Sequence, residues 1–258
     1  RKAREMSSKG GDACGCFPSG RHYPGIAHLL KTSVRGVADE FAADMPWDEI
    51  PIAMLDVETT GRDSAVDRVV ELGIVVGRGD TILRRHNWLI QPGIPMPAEA
   101  QAVHGISDED LKDAPTFAQV AKEIADALIG TIPAAYNANF DRGFLHAECT
   151  RAKHVRRDVP ALRPEVTWLD PLVWARAIQA SERSRTLGDV AARLGISLTN
   201  AHRASDDAEA ALKVLYALAR EPGGPIVKNG MPRAYGALVA EQRRIAMAQA
   251  DARRMWRS

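Results

Sequence analysis

Two carboxylates stand two residues apart in LDVETTG, at Asp56 and Glu58, directly after an apolar run of residues 52–55. Such a run reads as a buried strand, and residues two apart on a strand project to the same face. Two like charges side by side at the strand's end repel, at greater cost where water is partly excluded. A divalent cation is the simplest group that offsets this. Two further acids stand in unusual places: Asp141 in NANFDRGFL, after a second apolar run, and Asp207 in HRASDDAEA, five residues after His202. Singly, each has an ordinary explanation. Asp141, Asp206 and Asp207 can be helix-start acids favoured by the helix dipole, and His202 a loop histidine. Together they form a donor set, since carboxylate oxygens from three separated segments suit a hard ion such as Mg2+ or Mn2+. Two such ions roughly 4 Å apart polarise a phosphodiester, make a water nucleophilic and stabilise the leaving oxygen. A histidine, titrating near neutral pH, is suited to take that water's proton.

The elements that must gather these residues show in the apolar periodicity. RVVELGIVVG (68–77) and TILRRHNWLIQP (81–92) are predicted as strands joined by a turn at Gly77–Asp80, completing a three-stranded meander with the first strand. A loop with a short helix is expected over 95–107. An amphipathic helix follows over 116–129, with Thr116 as cap and Gly130 as stop. Next come a buried strand over 131–138 and a helix carrying Asp141. EVTWLD (165–170) is predicted as a strand followed by a helix. Residues 186–196 and 204–220 are predicted helices, the second carrying Asp207. Antiparallel strands first, then alternating strands and helices, give an α/β fold with a mixed sheet flanked by helices.

Outside this stretch, residues 1–48 read as an extension, irregular through GGDACGCFPSGRHYPG and then helical from about His28 to Phe41. Residues 221–258 read as a tail with a helix from about Tyr235, basic by eight Arg/Lys against three Asp/Glu counted from Arg220.

Composition bounds the rest. The chain of 258 residues is 45% hydrophobic, enough for one α/β core with appendages. A formal net charge of +1 gives no global field toward polyanions, so nucleic-acid affinity must come from local patches. Cys14, Cys16 and Cys149 make no disulfide framework and suit a reducing cytoplasm. Cys14 and Cys16 with His22 and His28 are a weak zinc pattern. No apolar run approaches the roughly 20 residues of a membrane span, and no apolar stretch of a secretory signal follows the basic start. A cytoplasmic location with no membrane partner is expected.

LDVETTG, NANFDRGFL and HRASDDAEA, in this order, resemble the three motifs of the DEDDh, or DnaQ-like, 3′–5′ exonucleases, a family that includes the proofreading epsilon subunit of bacterial DNA polymerase III. The resemblance spans about residues 50–220 and takes in VHGIS (103–107) and TLGDVAARLGI. It implies a ribonuclease-H-like mixed sheet, with an N-terminal extension over 1–48, the exonuclease domain over 49–220 and a basic helical tail over 221–258. The catalytic set it implies is Asp56, Glu58, Asp141, His202 and Asp207. In the family pattern Asp56, Glu58 and Asp207 hold a first Mg2+ or Mn2+. Asp56 bridges to a second ion that Asp141 approaches, and His202 deprotonates the attacking water. Asp206 is the lesser ligand.

Substrate contacts are expected from Val57, Thr59, Thr60, His104, Ile106, Asn137 and Phe140, core packing explaining Phe140 equally well. Arg142, Arg151, Lys153, Arg156 and Arg157 attract phosphates or simply form a solvated face. The implied activity is metal-dependent hydrolysis of single-stranded 3′ ends to nucleoside 5′-monophosphates, with DNA favoured. An RNA-trimming enzyme of the same family is one alternative. A non-catalytic binding or assembly module is another, opposed by the intact acid set. The implied partners are single-stranded DNA or RNA 3′ ends, with a homodimer or a polymerase-type partner left open.

Overall fold

β1 (Ile52–Thr59) pairs antiparallel with β2 (Val69–Arg78), and β2 with β3 (Thr81–Leu89). β4 (Ile132–Ala135) adds parallel to β1, giving the order β3–β2–β1–β4. The computed structural model describes residues 34–198 and 203–255. β1 and β2 are nearly continuous apolar runs because both faces of the sheet are covered. On one face Ile52, Met54 and Val75 meet α7 (Ala204–Arg220), whose Ala208, Ala211, Leu212 and Leu215 recur at helical spacing. On the other face Leu55, Val57, Leu72 and Ile74 meet α3 (Phe117–Ala127) and α4 (Asn139–Arg151). α3 starts where the sequence places its cap, the Gln119 side-chain oxygen accepting from the Thr116 N–H at 2.7 Å.

The remaining helices among the described residues are α1 (Ala98–His104), α2 (Asp108–Leu111), α5 (Pro171–Ile178), α6 (Leu187–Arg193) and α8 (Tyr235–Met255). α8 is basic on its exposed side, yet it buries Tyr235, Leu238, Val239, Gln242 and Ile245 and packs on α5. The Tyr235 hydroxyl accepts from the Ala38 N–H at 3.1 Å, and Trp47 stacks on Tyr216 with ring centroids 5.5 Å apart. None of the helices searched among the described residues is long and apolar enough to cross a membrane.

Three expectations are corrected. The acids Asp56 and Glu58 lie inside β1, which runs on to Thr59 because β2 continues to pair with it. The strand expected over 165–170 is reduced to one bridge, Ala134 to Leu169. Leu169 bonds to β4 through Pro133 and Ala135, but its neighbours turn elsewhere: the Thr167 N–H to the Gly36 carbonyl, the Trp168 carbonyl and Asp170 N–H to the Gln242 side chain. The helix expected from about His28 to Phe41 is turns over its described part, 34–41. Gly36 at φ 96° breaks helical geometry there. The remainder of that helix, with Cys14, Cys16, His22 and His28, lies outside the described residues.

Candidate active site

β4 stops at Ala135, opposite Leu55, so Asp56 is the first residue of β1 beyond the parallel ladder. A crevice opens at the carboxyl end of paired parallel strands, and ligands of open α/β sheets sit there. Asp56 and Glu58 project into it on the face covered by α7. Asp207 sits in the first turn of α7. That turn comes close because β2 carries Gly73 beneath it: a Cβ at Gly73 would lie 2.3 Å from the Ala204 carbonyl carbon and the Ser205 nitrogen. The result is a cluster in which Asp56, Glu58 and Asp207 each offer a carboxylate oxygen within 4.8 Å of the others.

Asp141 stands in the first turn of α4 and is buried. Its Oδ1 accepts from the Val57 N–H at 3.1 Å, which fastens it to β1 between the two acid-bearing residues. The structure therefore brings three of the four expected acids into one ligand set and holds the fourth against the backbone of that set. His202 lies outside the described residues. Its neighbour Arg203 is anchored, donating from Nη2 to the Glu71 carboxylate at 2.8 Å.

Crowded negative oxygens resist ionisation. Burial, and then the charges of Asp141, Glu58 and Asp207, hold the Asp56 pKa well above the usual carboxylate range. Burial, Asp207 and Glu71 push Glu58 up to about 8. Asp141 is raised by burial, against the pull of its accepted hydrogen bonds. An ion that takes oxygen donors at about 2.0–2.6 Å, such as Mg2+, Mn2+ or Ca2+, matches this donor set in charge and chemistry. It would also relieve the repulsion that raises these pKa values.

Beside Glu58 lies a cleft of ≈ 470 Å³, lined by Val57, Thr59, Thr60, Arg62, Val103, His104 and Phe140 among others. Five of the expected substrate residues are thus on its wall. The Thr60 hydroxyl is occupied, accepting from the Arg68 N–H at 3.0 Å, and the Thr59 hydroxyl donates to the Gly61 carbonyl at 2.5 Å. His104 accepts at Nδ1 from the Ile106 N–H at 3.1 Å, so a neutral ring carries its proton on Nε2. Ile106 is not on the wall; it packs with Val70 and Leu111. Nor is Asn137, whose N–H donates to Asp170.

Sequence reasoning missed Arg62 and Val103 on the wall, and Glu71 and Asp170 behind it. The charged Glu71 inside the apolar run VVELGIVV was a readable signal. Val103 was readable as the residue before His104 on one short helix. In sequence Asp170 reads only as the last residue of a strand; in the structure it caps the helix that follows, accepting from the Leu172 N–H at 2.9 Å.

Comparison with known proteins places this geometry in a family context. Residues 53–215 match the family RNase_T, described as exonuclease. Among curated relatives, the PolC-type DNA polymerase III of Thermotoga maritima is 30% identical over 190 residues, 74% of this chain and 13% of that protein. The PolC-type polymerase of Streptococcus pneumoniae is 28% identical over 195 residues, 76% of this chain and 13% of that protein. The chain thus spans about an eighth of the length of such relatives. Among solved structures, Escherichia coli Exonuclease I bound to a dT13 oligonucleotide superposes with a TM-score of 0.57 at 16% identity, covering 67% of this chain and 42% of that one. A 3′-exonuclease recognising a histone mRNA stem-loop gives 0.54 at 18% identity, over 74% of this chain and 67% of that one. These likenesses show the shared fold, a mixed sheet flanked by helices of the ribonuclease-H-like kind.

Proposed function

The chain belongs to the RNase_T exonuclease family, and on that premise we propose that it is a divalent-metal-dependent 3′–5′ exonuclease acting on single-stranded nucleic-acid ends. The observation that carries the proposal is the gathering of Asp56, Glu58 and Asp207, from two distant segments, within 4.8 Å of one another. A divalent cation would neutralise the charges that this closeness sets against one another. Asp56, Glu58 and Asp207 would hold one ion, and Asp141, beside them, would help to hold a second. Mg2+ or Mn2+ supplies Lewis-acid polarisation of the phosphodiester and charge neutralisation at the leaving oxygen.

The chain's own residues do the rest. The cleft walled by Thr59, Thr60, His104 and Phe140 takes the terminal nucleotide, with Phe140 offering a ring face to the base. His202 takes the proton of the attacking water as its oxygen bonds to phosphorus and the bond to the 3′ oxygen of the preceding nucleotide breaks. That oxygen takes a proton from solvent to become the new 3′ hydroxyl. The released product is a nucleoside 5′-monophosphate.

DNA is the favoured substrate, in keeping with the DNA polymerase relatives and the dT13-bound Exonuclease I. The likeness to a 3′-exonuclease that recognises a histone mRNA stem-loop favours RNA as the second reading. A polymerase-type partner or a homodimer, and a cytoplasmic setting, complete the proposal, with 49–220 as its catalytic domain. The test is incubation of matched 5′-labelled DNA and RNA oligonucleotides with Mg2+. Stepwise shortening by the wild type and none by Asp56→Ala is the expected result. Equal shortening by both proteins, or by neither, overturns the proposal.

A further inference from the structure

Gln242 lies on α8, beyond the span 53–215 that matches the family, yet its side chain is 4% exposed. Its Oε1 accepts from the Asp170 N–H at 2.9 Å and from the Trp174 indole N–H at 3.0 Å, and its Nε2 donates to the Trp168 carbonyl at 2.8 Å. Those backbone groups belong to the segment that fails to become a strand. Buried without ladder partners, they need a side chain to satisfy them.

Asp170 passes the constraint on. Its Oδ1 accepts from the Asn137 N–H at 3.0 Å and the Leu172 N–H at 2.9 Å, and its Oδ2 from the Ala138 N–H at 3.1 Å. One carboxylate thus caps α5 and fixes the entry to α4. Asn137 is at φ 70°, a left-handed conformation that asparagine tolerates better than most non-glycine residues and that the Asp170 bonds on either side of it help to fix. Ala138 then leads into the first turn of α4, where Asp141 reaches the Val57 N–H at 3.1 Å.

We propose that α8 is a positioning element of the active site, with Gln242 fixing Asp141 through Asp170 and the Asn137–Ala138 turn. Gln242 touches no reacting atom; it is a positioning residue. The kinetic consequence rests on the exonuclease reading, while the structural consequence stands without it. The relevant precedent is general: partners one step behind a ligand set orient it, and losing one weakens affinity or activity.

The test compares Gln242→Met with Gln249→Met in the full chain. Gln249, two turns further along α8, donates to the Val173 carbonyl at 3.0 Å. It therefore fastens the same helix to α5 without touching Asp170. Two quantities are measured: steady-state shortening of a 5′-labelled oligonucleotide with Mn2+, and hydrogen exchange of the peptide 136–142. Gln242→Met is expected to lower kcat roughly 10–100-fold with KM within about twofold. It is also expected to speed exchange at 136–142 while β1 and β2 stay protected. Gln249→Met changes neither quantity beyond about twofold. The two variants behaving alike, or Gln242→Met matching the wild type, overturns the proposal. Should Gln242→Met fail to fold, Gln242→Glu, which keeps an accepting oxygen for the Asp170 N–H but loses the amide that donates to the Trp168 carbonyl, is compared on the same readouts and is expected to speed exchange at 136–142; wild-type protection there overturns the proposal. A wild type that leaves the oligonucleotide intact defeats the exonuclease reading, and the exchange comparison still decides the positioning one.

Discussion

Glu58 and Glu71 stand opposite each other on β1 and β2, and their charges are met in different ways. Glu71 is fully buried and accepts from Arg203 Nη2 at 2.8 Å, Asn87 Nδ2 at 2.8 Å and the Ala204 N–H at 3.3 Å. Glu58 is crowded by Asp207 and Glu71 instead, and its pKa is pushed up to about 8. A directly opposed like pair destabilises a sheet. Here one member is answered by the protein, and the other faces the proposed ion site. Arg203→Met leaves the buried Glu71 carboxylate short of its cation. Because the arginine is half exposed, the expected cost is about 1–2 kcal/mol, read from urea unfolding. No change in the midpoint would show that Arg203 does not hold Glu71.

The metal-free protein should lose stability as pH rises. Glu58 ionises near its ordinary 4.5 when unfolded but at about 8 when folded. Between those values the folded state keeps a proton that the unfolded chain releases. The stabilisation is complete below the lower value and is lost as pH climbs through the upper one. Asp56, also raised, acts in the same direction. Melting temperature in a chelator is expected to fall from about pH 5 to about pH 9, and Mg2+ to restore it at the alkaline end, where the carboxylates bind it. Glu58→Gln should flatten the profile. A melting temperature that rises with pH in chelator contradicts this electrostatic picture.

Gly73→Ala should injure the site without touching a carboxylate. The added Cβ meets backbone at 2.3 Å, and backbone cannot rotate away. α7 must lift at its start, carrying Asp207 from Asp56 and Glu58. The expected destabilisation is about 3 kcal/mol, the upper end for an overpacked core. The expected fall in kcat is on the order of 100-fold, as for a displacement near 1 Å. Calorimetry and single-turnover rates check the two parts. Wild-type values in both would mean that α7 tolerates the lift.

Phe140 lines the cleft and packs against Phe144 at a ring-centroid distance of 4.9 Å. A ring that supports the terminal base contributes about 1–3 kcal/mol to binding. Phe140→Ala should therefore raise KM roughly 5–150-fold with kcat largely kept. A KM unchanged alongside a lowered melting point would assign Phe140 to the core alone.

Much of this was legible in the chain. The spacing of Asp56 and Glu58 placed them on one face, because a strand alternates whatever its neighbours are. The cap at Thr116, the glycine stops and the helical spacing in α3 and α7 are local signals, and those elements formed where they were expected. What failed depended on distant partners. Residues 165–170 have the composition of a strand, yet beyond the Leu169 bonds to β4 their hydrogen bonds at Thr167, Trp168 and Asp170 go to Gly36 and Gln242, and no pattern within those six residues announces either. Glu71 was visible as a charge in an apolar run, but its meaning needed Arg203, 132 positions away. Ile106 and Asn137 adjoin motif residues in sequence; Ile106 packs with Val70 and Leu111, and the Asn137 backbone N–H donates to Asp170. Adjacency along the chain does not set which way a loop residue turns.

The most direct measurement is anomalous diffraction from a crystal grown with Mn2+. A peak within about 2.0–2.4 Å of oxygens from Asp56, Glu58 and Asp207 is expected, and its disappearance in Asp207→Ala. Full occupancy of Mn2+ elsewhere, with the three side chains splayed and nothing between them, would contradict the proposal that these acids converge to hold a catalytic ion.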